Sequence, residues 1–327
     1  MTVNFECVVV RKGGHVILDI PSLALASDGV TAVLGPNGSG KTTLLRCAAG
    51  LEEAHHGHVY LAESMNRSPS VSVAFQSPVF VHGTVRRNLD LALALRRVAP
   101  AERWSRIERY AALLGISALL ERDARSLSGG EAQRANLARA LAVPADVTLL
   151  DEPLAGVDDP TAQDLLGLLP NAFRAAAAPV VVVTHERDEA LRLADRAVVV
   201  LDGLVAAQGD LPDLFRSPPT PAVAALLGYT LVPVDSRLVA IAPGELRQGT
   251  HGLKLELAVD RIHDLTFRRE AHGLIGDVRA TAWVGDDVSP GRTIEVVARR
   301  DRVVEFDSNG ARAADRIRSQ GTPEPPS

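Results

Sequence analysis

The nine residues from Gly35 to Thr43 have the types and the spacing that bind phosphate. They are Gly35, Pro36, Asn37, Gly38, Ser39, Gly40, Lys41, Thr42 and Thr43, between an apolar strand pattern at 30–34 and a helical pattern at 44–49. Glycine allows backbone angles at which successive N–H groups point at one anion, and the following helix adds its positive N-terminal end. Lys41 would contact the β- and γ-phosphates of a nucleotide, and the Thr42 hydroxyl would hold Mg²⁺. The alternative is a glycine-rich turn with a surface lysine, but strand, loop and helix together favour a phosphate site.

Two acidic residues, Asp151 and Glu152, follow the apolar strand pattern at 147–150. Ligands of parallel sheets bind at the carboxyl ends of the strands, and adjacent carboxylates repel each other unless a cation or proton intervenes. We therefore expect Asp151 to hold Mg²⁺ through water, and Glu152 to orient and deprotonate an attacking water. The alternative is an acidic helix N-terminus of purely structural value.

A third pattern, residues 126–134, places Ser128, Gly129 and Gly130 at the start of a predicted helix. A small hydroxyl, glycines that admit a close approach and a helix N-terminus form a second anion site. Ser128 and Glu131 also fit a capping box, which explains helix initiation but not the two glycines. Since one nucleotide needs one phosphate loop, the second site predicts action on a nucleotide held by another copy.

These patterns, in this order, resemble the ATP-binding-cassette ATPases over about residues 1–215. The resemblance rests on the phosphate loop, Gln76, residues 127–134, residues 149–153 and His185. It implies a head-to-tail homodimer in which each ATP, with Mg²⁺, lies between the phosphate loop of one copy and Ser128 to Gly130 of the other. It also implies an α/β P-loop NTPase core with an antiparallel β subdomain and a helical subdomain at about 84–135.

The resemblance assigns further roles to single residues. Gln76 would reach Mg²⁺ and the attacking water and link the site to a membrane subunit, and Asp158 would lie at the dimer seam. His185 would contact the γ-phosphate, whereas a histidine at a strand end on its own predicts a hydrogen-bonded polar residue. The family stacks adenine on an aromatic side chain near residues 12–15, where this chain has none. His15 is the candidate to stack on the base in its place.

Composition limits the remaining possibilities. The chain of 327 residues is 46% apolar with a net charge of −5, which predicts about two domains and no general attraction to polyanions such as nucleic acid. Cys7 and Cys47 are far apart in sequence, so we expect no disulfide and a reducing cytosol. The first residues do not resemble a secretory signal, and no apolar run approaches the ~20 residues of a membrane helix.

Hydrophobic patterning divides the chain further. We expect strands within 3–34, helices over 84–125 with Thr84 as an N-cap, and buried parallel strands at 147–150 and 179–183. A strand at 197–201 completes this part. A linker helix is expected within 216–231, a small all-β, OB-like barrel at 232–310, and a flexible tail at 311–327.

The region at 232–310 resembles the oligonucleotide/oligosaccharide-fold extension of importer ATPases, and residues 76–85 resemble the corresponding loop of molybdate and tungstate importers. The resemblance implies an ATPase on the cytoplasmic face of the membrane, bound to permease subunits and acting indirectly with a solute-binding protein. Sulfate, ferric-ion, sugar and polyamine importers carry similar extensions. The extension would bind an oxyanion, or else stabilise the dimer without a ligand. A cytosolic cassette ATPase acting on ribosomes or DNA is less compatible with one cassette and a compact helical insert.

Overall fold

The computed structural model describes residues 2–25, 28–61, 70–176, 178–265 and 268–312, and it divides between Pro212 and Asp213 into two compact units. From residue 313 onward, the predicted tail lies outside the described residues. The strands of the first unit are β1 (Val3–Lys12), β2 (His15–Leu25), β3 (Val30–Leu34), β4 (His56–Leu61), β5 (Val71–Ala74), β6 (Val147–Asp151), β7 (Val180–Thr184), β8 (Arg196–Leu201) and β9 (Leu204–Asp210). Its helices are α1 (Lys41–Ala48), α2 (Val85–Leu95), α3 (Pro100–Leu113), α4 (Gly129–Ala142), α5 (Asp159–Ala175) and α6 (Arg187–Leu193), and α7 (Leu211–Arg216) lies across the division.

A six-stranded sheet in the order β5-β6-β7-β3-β8-β9 carries the candidate site. Its first five strands are parallel, and β9 is antiparallel to β8. All residues of β6 and β7 are buried, as expected for apolar strands covered on both faces. The prediction of central parallel strands at 147–150 and 179–183 is confirmed, and the carboxyl ends of β3, β6 and β7 meet at one edge.

A second sheet in the order β2-β1-β4 is antiparallel, and the predicted turn at Gly13 and Gly14 joins β1 to β2 with φ of 56° and 84°. Strands β4 and β5 were not predicted from the sequence. The chain thus forms an antiparallel subdomain beside the parallel sheet, and the predicted fold class is confirmed for this unit.

Helices α2, α3 and α4 form the helical part of the first unit. Thr84 caps α2 by accepting a hydrogen bond from the Arg87 N–H at 3.1 Å, as predicted, and Pro100 opens α3. Tyr110 is fully buried in α3, and its hydroxyl donates to the carbonyl of Ala175 at 3.0 Å. These contacts fix the helices around one apolar core.

The described residues of the second unit form the end of α7, the short helix α8 and two β-structures. Its elements are α8 (Pro221–Leu226), β10 (Thr230–Val234), β11 (Arg237–Ile241), β12 (Arg247–Gln248), β13 (Leu253–Leu265), β14 (Arg268–Ile275), β15 (Val278–Val284), β16 (Thr293–Ala298) and β17 (Val303–Phe306). A closed barrel has the order β12-β15-β14-β13-β16, and β10, β11 and β17 form a separate sheet. The sequence predicted one barrel over 232–310. Strands β11 and β17 lie outside the barrel because β11 pairs with β10 on one side and with β17 on the other.

Two further expectations concern the membrane and the thiols. Among the residues that the structure describes, no helix is long and apolar enough to cross a membrane. Cys7 is exposed, Cys47 is buried, and both are free thiols. The expectation that they form no disulfide is confirmed.

Candidate functional site

The phosphate-binding loop leaves β3 and enters α1, whose first residue is Lys41. Gly40 precedes the helix with φ of 102°, a backbone angle that residues with a Cβ rarely adopt. A Cβ at Gly40 would lie 2.9 Å from the Ile17 carbonyl oxygen, and one at Gly35 would lie 2.3 Å from the Val200 carbonyl oxygen. Close packing of the loop therefore requires both glycines, and at Gly40 the positive φ is a second reason.

Lys41 is 5% exposed, and its ammonium group donates to the carbonyls of Gly35 at 2.8 Å and Pro36 at 2.9 Å. Burial lowers the pKa of Lys41, while Glu152 and Asp151 act in the opposite direction. The buried Ser39 hydroxyl has no hydrogen-bond partner among the described residues. An ammonium folded over its own loop and an unpartnered hydroxyl in the same loop fit a site that accepts phosphate oxygens.

Thr42 and Asp151 meet at the edge of the sheet, where the Thr42 hydroxyl donates to Asp151 Oδ1 at 3.3 Å. Asp151 is 5% exposed, and burial raises its pKa, although the Thr42 hydrogen bond and Lys41 favour its charged form. A carboxylate and a hydroxyl at this distance are oxygen ligands of the kind that Mg²⁺ prefers. The pair therefore fits the predicted metal-binding role.

Glu152 lies at the centre of the site and has φ of 45°, an uncommon angle for a residue with a side chain. The loop carrying Gln76 and the end of β7 supply its two side-chain partners. Gln76 Nε2 donates to Glu152 Oε2 at 3.2 Å, and His185 Nδ1 lies 3.2 Å from Glu152 Oε1. The structure thus brings together three predicted catalytic residues that are far apart in sequence.

Two buried amides that sequence reasoning did not select hold this site in place. Gln133 Nε2 donates to the carbonyl of Pro153 at 2.7 Å, directly after Glu152. Asn136 Nδ2 donates to the carbonyl of Phe75 at 3.0 Å, directly before Gln76. Both come from α4, so the helix that begins at Ser128 positions residues on both sides of Glu152. Amides on a helix that is otherwise rich in alanine and leucine are the sequence signal that could have found them.

A buried pair behind His185 was also missed. Thr184 donates its hydroxyl to Glu189, and it accepts a hydrogen bond from the Glu186 N–H at 2.9 Å. Glu189 is 5% exposed, and burial raises its pKa to about 7. The pair fixes the chain on both sides of His185.

Ser128, Gly129, Gly130 and Asp158 line a separate groove of about 560 Å³, and none of its lining residues belongs to the phosphate-binding loop. Ser128 forms the predicted capping box: its N–H donates to Glu131 at 2.8 Å, and its hydroxyl accepts from the Glu131 N–H at 3.4 Å. Asp158 caps α5 by accepting from Thr161.

The two glycines of this groove differ. A Cβ on Gly129 would meet open space, whereas one on Gly130 would lie 2.7 Å from Thr161 Cγ2. The sequence predicts that both glycines leave room for an anion. Gly130 has a packing reason, because α5 approaches α4 there, so Gly129 alone carries the argument from open space.

His15 lies at the exposed end of β2, opposite Lys12 in the strand register. The same strand reaches the phosphate-binding loop two residues later, where the Ile17 carbonyl faces Gly40. Residues 11–15 include no Tyr, Phe or Trp that could stack on adenine. The role of His15 toward adenine stays a prediction.

The chain is similar to known proteins over most of its length. A family model described as ABC transporter matches residues 18–155. "Molybdenum import ATP-binding protein ModC" of Aromatoleum aromaticum is 41% identical over 209 residues, and the alignment covers 60% of this chain and 55% of that relative. The chain thus spans about half the length of that relative. "Sulfate/thiosulfate import ATP-binding protein CysA" of Synechocystis sp. is 31% identical over 297 residues, with 88% and 83% covered.

A solved structure provides a comparison of the fold. The structure of cbiO1 from Clostridium perfringens, described as part of the ABC transporter complex cbiONQ, matches with a TM-score of 0.58 at 23% identity. The match covers 65% of this chain and 90% of that one. At this identity the similarity applies to the fold.

Proposed function

We propose that this chain, which belongs to the family of ABC transporter ATP-binding proteins, binds and hydrolyses ATP to drive a membrane importer. One observation carries the proposal: a buried lysine on a phosphate-binding loop, a threonine–aspartate pair, and a glutamate held by a glutamine and a histidine converge at one sheet edge. This arrangement contains a phosphate cradle, metal ligands and a base, which are the parts required for phosphoryl transfer to water.

Each residue has a distinct task in the proposed reaction. Lys41 leaves the carbonyls of its own loop and neutralises the β- and γ-phosphate oxygens. Thr42, Asp151 and Gln76 are the residues that would hold Mg²⁺, and the ion would supply positive charge to the phosphate oxygens. Glu152 accepts the proton of the attacking water, and its contacts with Gln76 and His185 keep the carboxylate directed at that water. His185 also reaches the γ-phosphate.

Glu152→Gln tests this assignment. The variant keeps the shape of the side chain and its contacts but removes the base, so we expect ATP binding to persist and turnover to fall by about 100-fold or more. Glu102→Gln is the matched control, because it makes the same change at an exposed glutamate of α3 whose side chain lies near Arg106 and outside the site. Steady-state ATPase activity and bound nucleotide are measured together. Full turnover in Glu152→Gln would remove Glu152 from the role of base.

We also propose that two copies pair head to tail around ATP. The groove containing Ser128 and Gly129 has an N-terminal helix end and open space but no phosphate-binding loop among its lining residues. It therefore suits the γ-phosphate of a nucleotide whose other phosphates are bound by a second copy. Asp158 lines the same groove, which supports its predicted place at the seam between copies.

The surface that receives the permease is proposed to lie beside Gln76. The loop after Gln76 exposes 75% of Val79 and 49% of Val81, and α3 exposes 59% of Trp104. This loop is held firmly: Arg139 donates to the Val79 carbonyl at 2.7 Å, and Asn88 bonds both backbone groups of Val81. An apolar surface joined by a fixed loop to a residue at the reaction centre suits a partner whose motion must reach the ATP site.

We expect Val79→Asp to leave basal ATP hydrolysis by the purified chain intact. The same change should abolish both the stimulation of hydrolysis by the permease and the uptake of solute. Leu51→Asp, an exposed apolar position outside this surface, is the control. Unchanged uptake in Val79→Asp cells would place the permease elsewhere. In this proposal the chain is a peripheral protein on the cytoplasmic face of the membrane, and a solute-binding protein acts through the permease.

For the solute we propose an oxyanion of the molybdate and tungstate class, supported by the 41% identity to a molybdenum importer subunit. Sulfate is the second candidate, since the similarity to a sulfate importer subunit extends over 88% of this chain. Uptake of labelled molybdate and labelled sulfate, each with the other as competitor, separates the two in cells carrying the wild type or Lys41→Ala. If the wild type and Lys41→Ala take up equal amounts of molybdate and equal amounts of sulfate, the oxyanion class is excluded. Calorimetry of the full chain with both anions tests the predicted oxyanion site at 232–310.

A further inference from the structure

The barrel of the second unit carries a group of metal-ligating side chains that ATP hydrolysis does not use. Strands β13 and β14 are antiparallel, with His263 opposite Glu270. Glu270 and His272 are two residues apart on β14 and therefore project from the same face as His263. The intervening Ala271 is buried in the barrel core, so the three side chains lie on the outer face.

The ligand atoms of His263, Glu270 and His272 all lie within 4.8 Å of one another, and the two imidazole centroids are 4.5 Å apart at 53°. Around a tetrahedral Zn²⁺ with bonds of about 2.1 Å, ligand atoms are about 3.4 Å apart. The ligand atoms must therefore approach by at most about 1.4 Å, and His263 is exposed, so rotation of its side chain can supply this movement.

The nitrogen of His272 that faces this group lacks a hydrogen bond. Nε2 is buried and has no hydrogen-bond partner among the described residues, while Glu270 Oε2 lies 3.5 Å away. The other ring nitrogen, Nδ1, lies 3.1 Å from the Thr281 hydroxyl. Ligating histidines use this arrangement, in which a bond to one nitrogen fixes the ring so that the other can bind a metal. A buried, unpaired nitrogen is costly unless a ligand occupies it.

We propose that His263, Glu270 and His272 bind one divalent transition metal ion, with Zn²⁺ as the reference ion. Two imidazoles and a carboxylate suit Zn²⁺, Co²⁺, Ni²⁺ and Cu²⁺, whereas Mg²⁺ and Ca²⁺ require oxygen ligands. Arg261 lies opposite His272 in the register and adds positive charge to the same face. This charge disfavours ions held by electrostatic attraction alone, so coordination by nitrogen decides which ion binds. Three protein ligands leave the fourth position open to water or another ligand.

The alternative is a metal-free cluster in which His272 pairs with Glu270 when protonated. Calorimetric titration of the full chain, freed of metal by a chelator and without nucleotide, separates the two. ZnCl₂ and MgCl₂ are the probes. We expect Zn²⁺ to bind at one site per chain through these residues and Mg²⁺ to give no signal from them.

The variants are His263→Asn, Glu270→Gln and His272→Gln, and each is expected to weaken that Zn²⁺ site at least tenfold. His251→Asn is the matched control, because His251 is an exposed histidine of the same unit that contacts Thr250 instead. Since His263 is exposed, its variant is expected to fold, and the circular dichroism spectrum checks this. Zn²⁺ binding with wild-type affinity in all three variants, or no Zn²⁺ binding by the wild type, would overturn the proposal.

Discussion

Neutralising Glu189 should remove a pH dependence from the stability of the protein. Glu189 is a buried carboxyl on α6 that accepts the Thr184 hydroxyl through one oxygen, and its other oxygen, Oε1, has no hydrogen-bond partner among the described residues. Burial raises its pKa from 4.5 to about 7, with Glu152 and Glu186 adding to the effect and the Thr184 bond opposing it. The folded protein therefore retains a proton that the unfolded chain has already released between these two pH values.

The sign and the magnitude follow from this difference. A raised carboxyl pKa contributes stability that is complete below pH 4.5 and is lost as the pH rises through about 7. Since one pKa unit corresponds to about 1.4 kcal/mol, ionisation of Glu189 costs about 3 kcal/mol of unfolding free energy, most of it between pH 5 and pH 8. Glu189→Gln keeps an oxygen for Thr184 but cannot ionise, so its stability should fall less over this range.

Urea unfolding at pH 5 and pH 8 measures the effect in both proteins. We expect the wild type to lose about 2.5 kcal/mol more than Glu189→Gln between the two pH values. Asp188→Asn is the control, because it removes the same charge from an exposed position on the same helix. Parallel pH profiles for the wild type and Glu189→Gln would refute the reasoning, since they would mean that Glu189 ionises equally in the folded and unfolded states.

Three further predictions concern packing, capping and thiol reactivity. Gly130→Ala should lower the unfolding free energy by about 1–3 kcal/mol through its clash with α5, whereas Gly129→Ala should not; equal urea midpoints would contradict this. Thr84→Ala should cost about 1 kcal/mol by removing a helix cap, measured in the same way, and an unchanged midpoint would argue against the cap. Burial raises the pKa of Cys47 to about 11, so mass spectrometry after iodoacetamide treatment should find Cys7 modified and Cys47 intact; equal modification would contradict its burial.

Local patterns predicted the parts of the site that local chemistry determines. The loop ending at Lys41 and the carboxylates after β6 could be located because strand, turn and helix signals agree within a few residues. Glu189 could not be found in this way. Its importance comes from burial beside Thr184 and Glu152, which no short pattern records.

The β-structure of the second unit shows the same limit. Strand β14 was not predicted as a separate element. It begins with three charged residues, Arg268 to Glu270, which are not typical of the start of a strand. The pairing of β17 with β11 was not predicted either, since strands of similar composition suit either structure. The group of His263, Glu270 and His272 depends on this pairing and becomes visible only in the register of β13 and β14.

In the proposed dimer, two copies enclose each ATP, with the loop of Lys41 from one and the groove of Ser128 from the other. A mixture of two inactive variants tests this arrangement. Lys41→Ala disables one half of every site, and Ser128→Arg disables the other half by filling the groove. Each variant alone should be inactive, and each should remain folded by circular dichroism.

When the two variants are mixed in equal amounts, half of the dimers contain one copy of each and have one intact site. We therefore expect ATPase activity to recover to at most about a quarter of the wild-type level. No recovery in the mixture, although mixed dimers are demonstrated by differential tagging, would contradict the account. Wild-type activity in Ser128→Arg alone would contradict it equally, because one copy would then suffice.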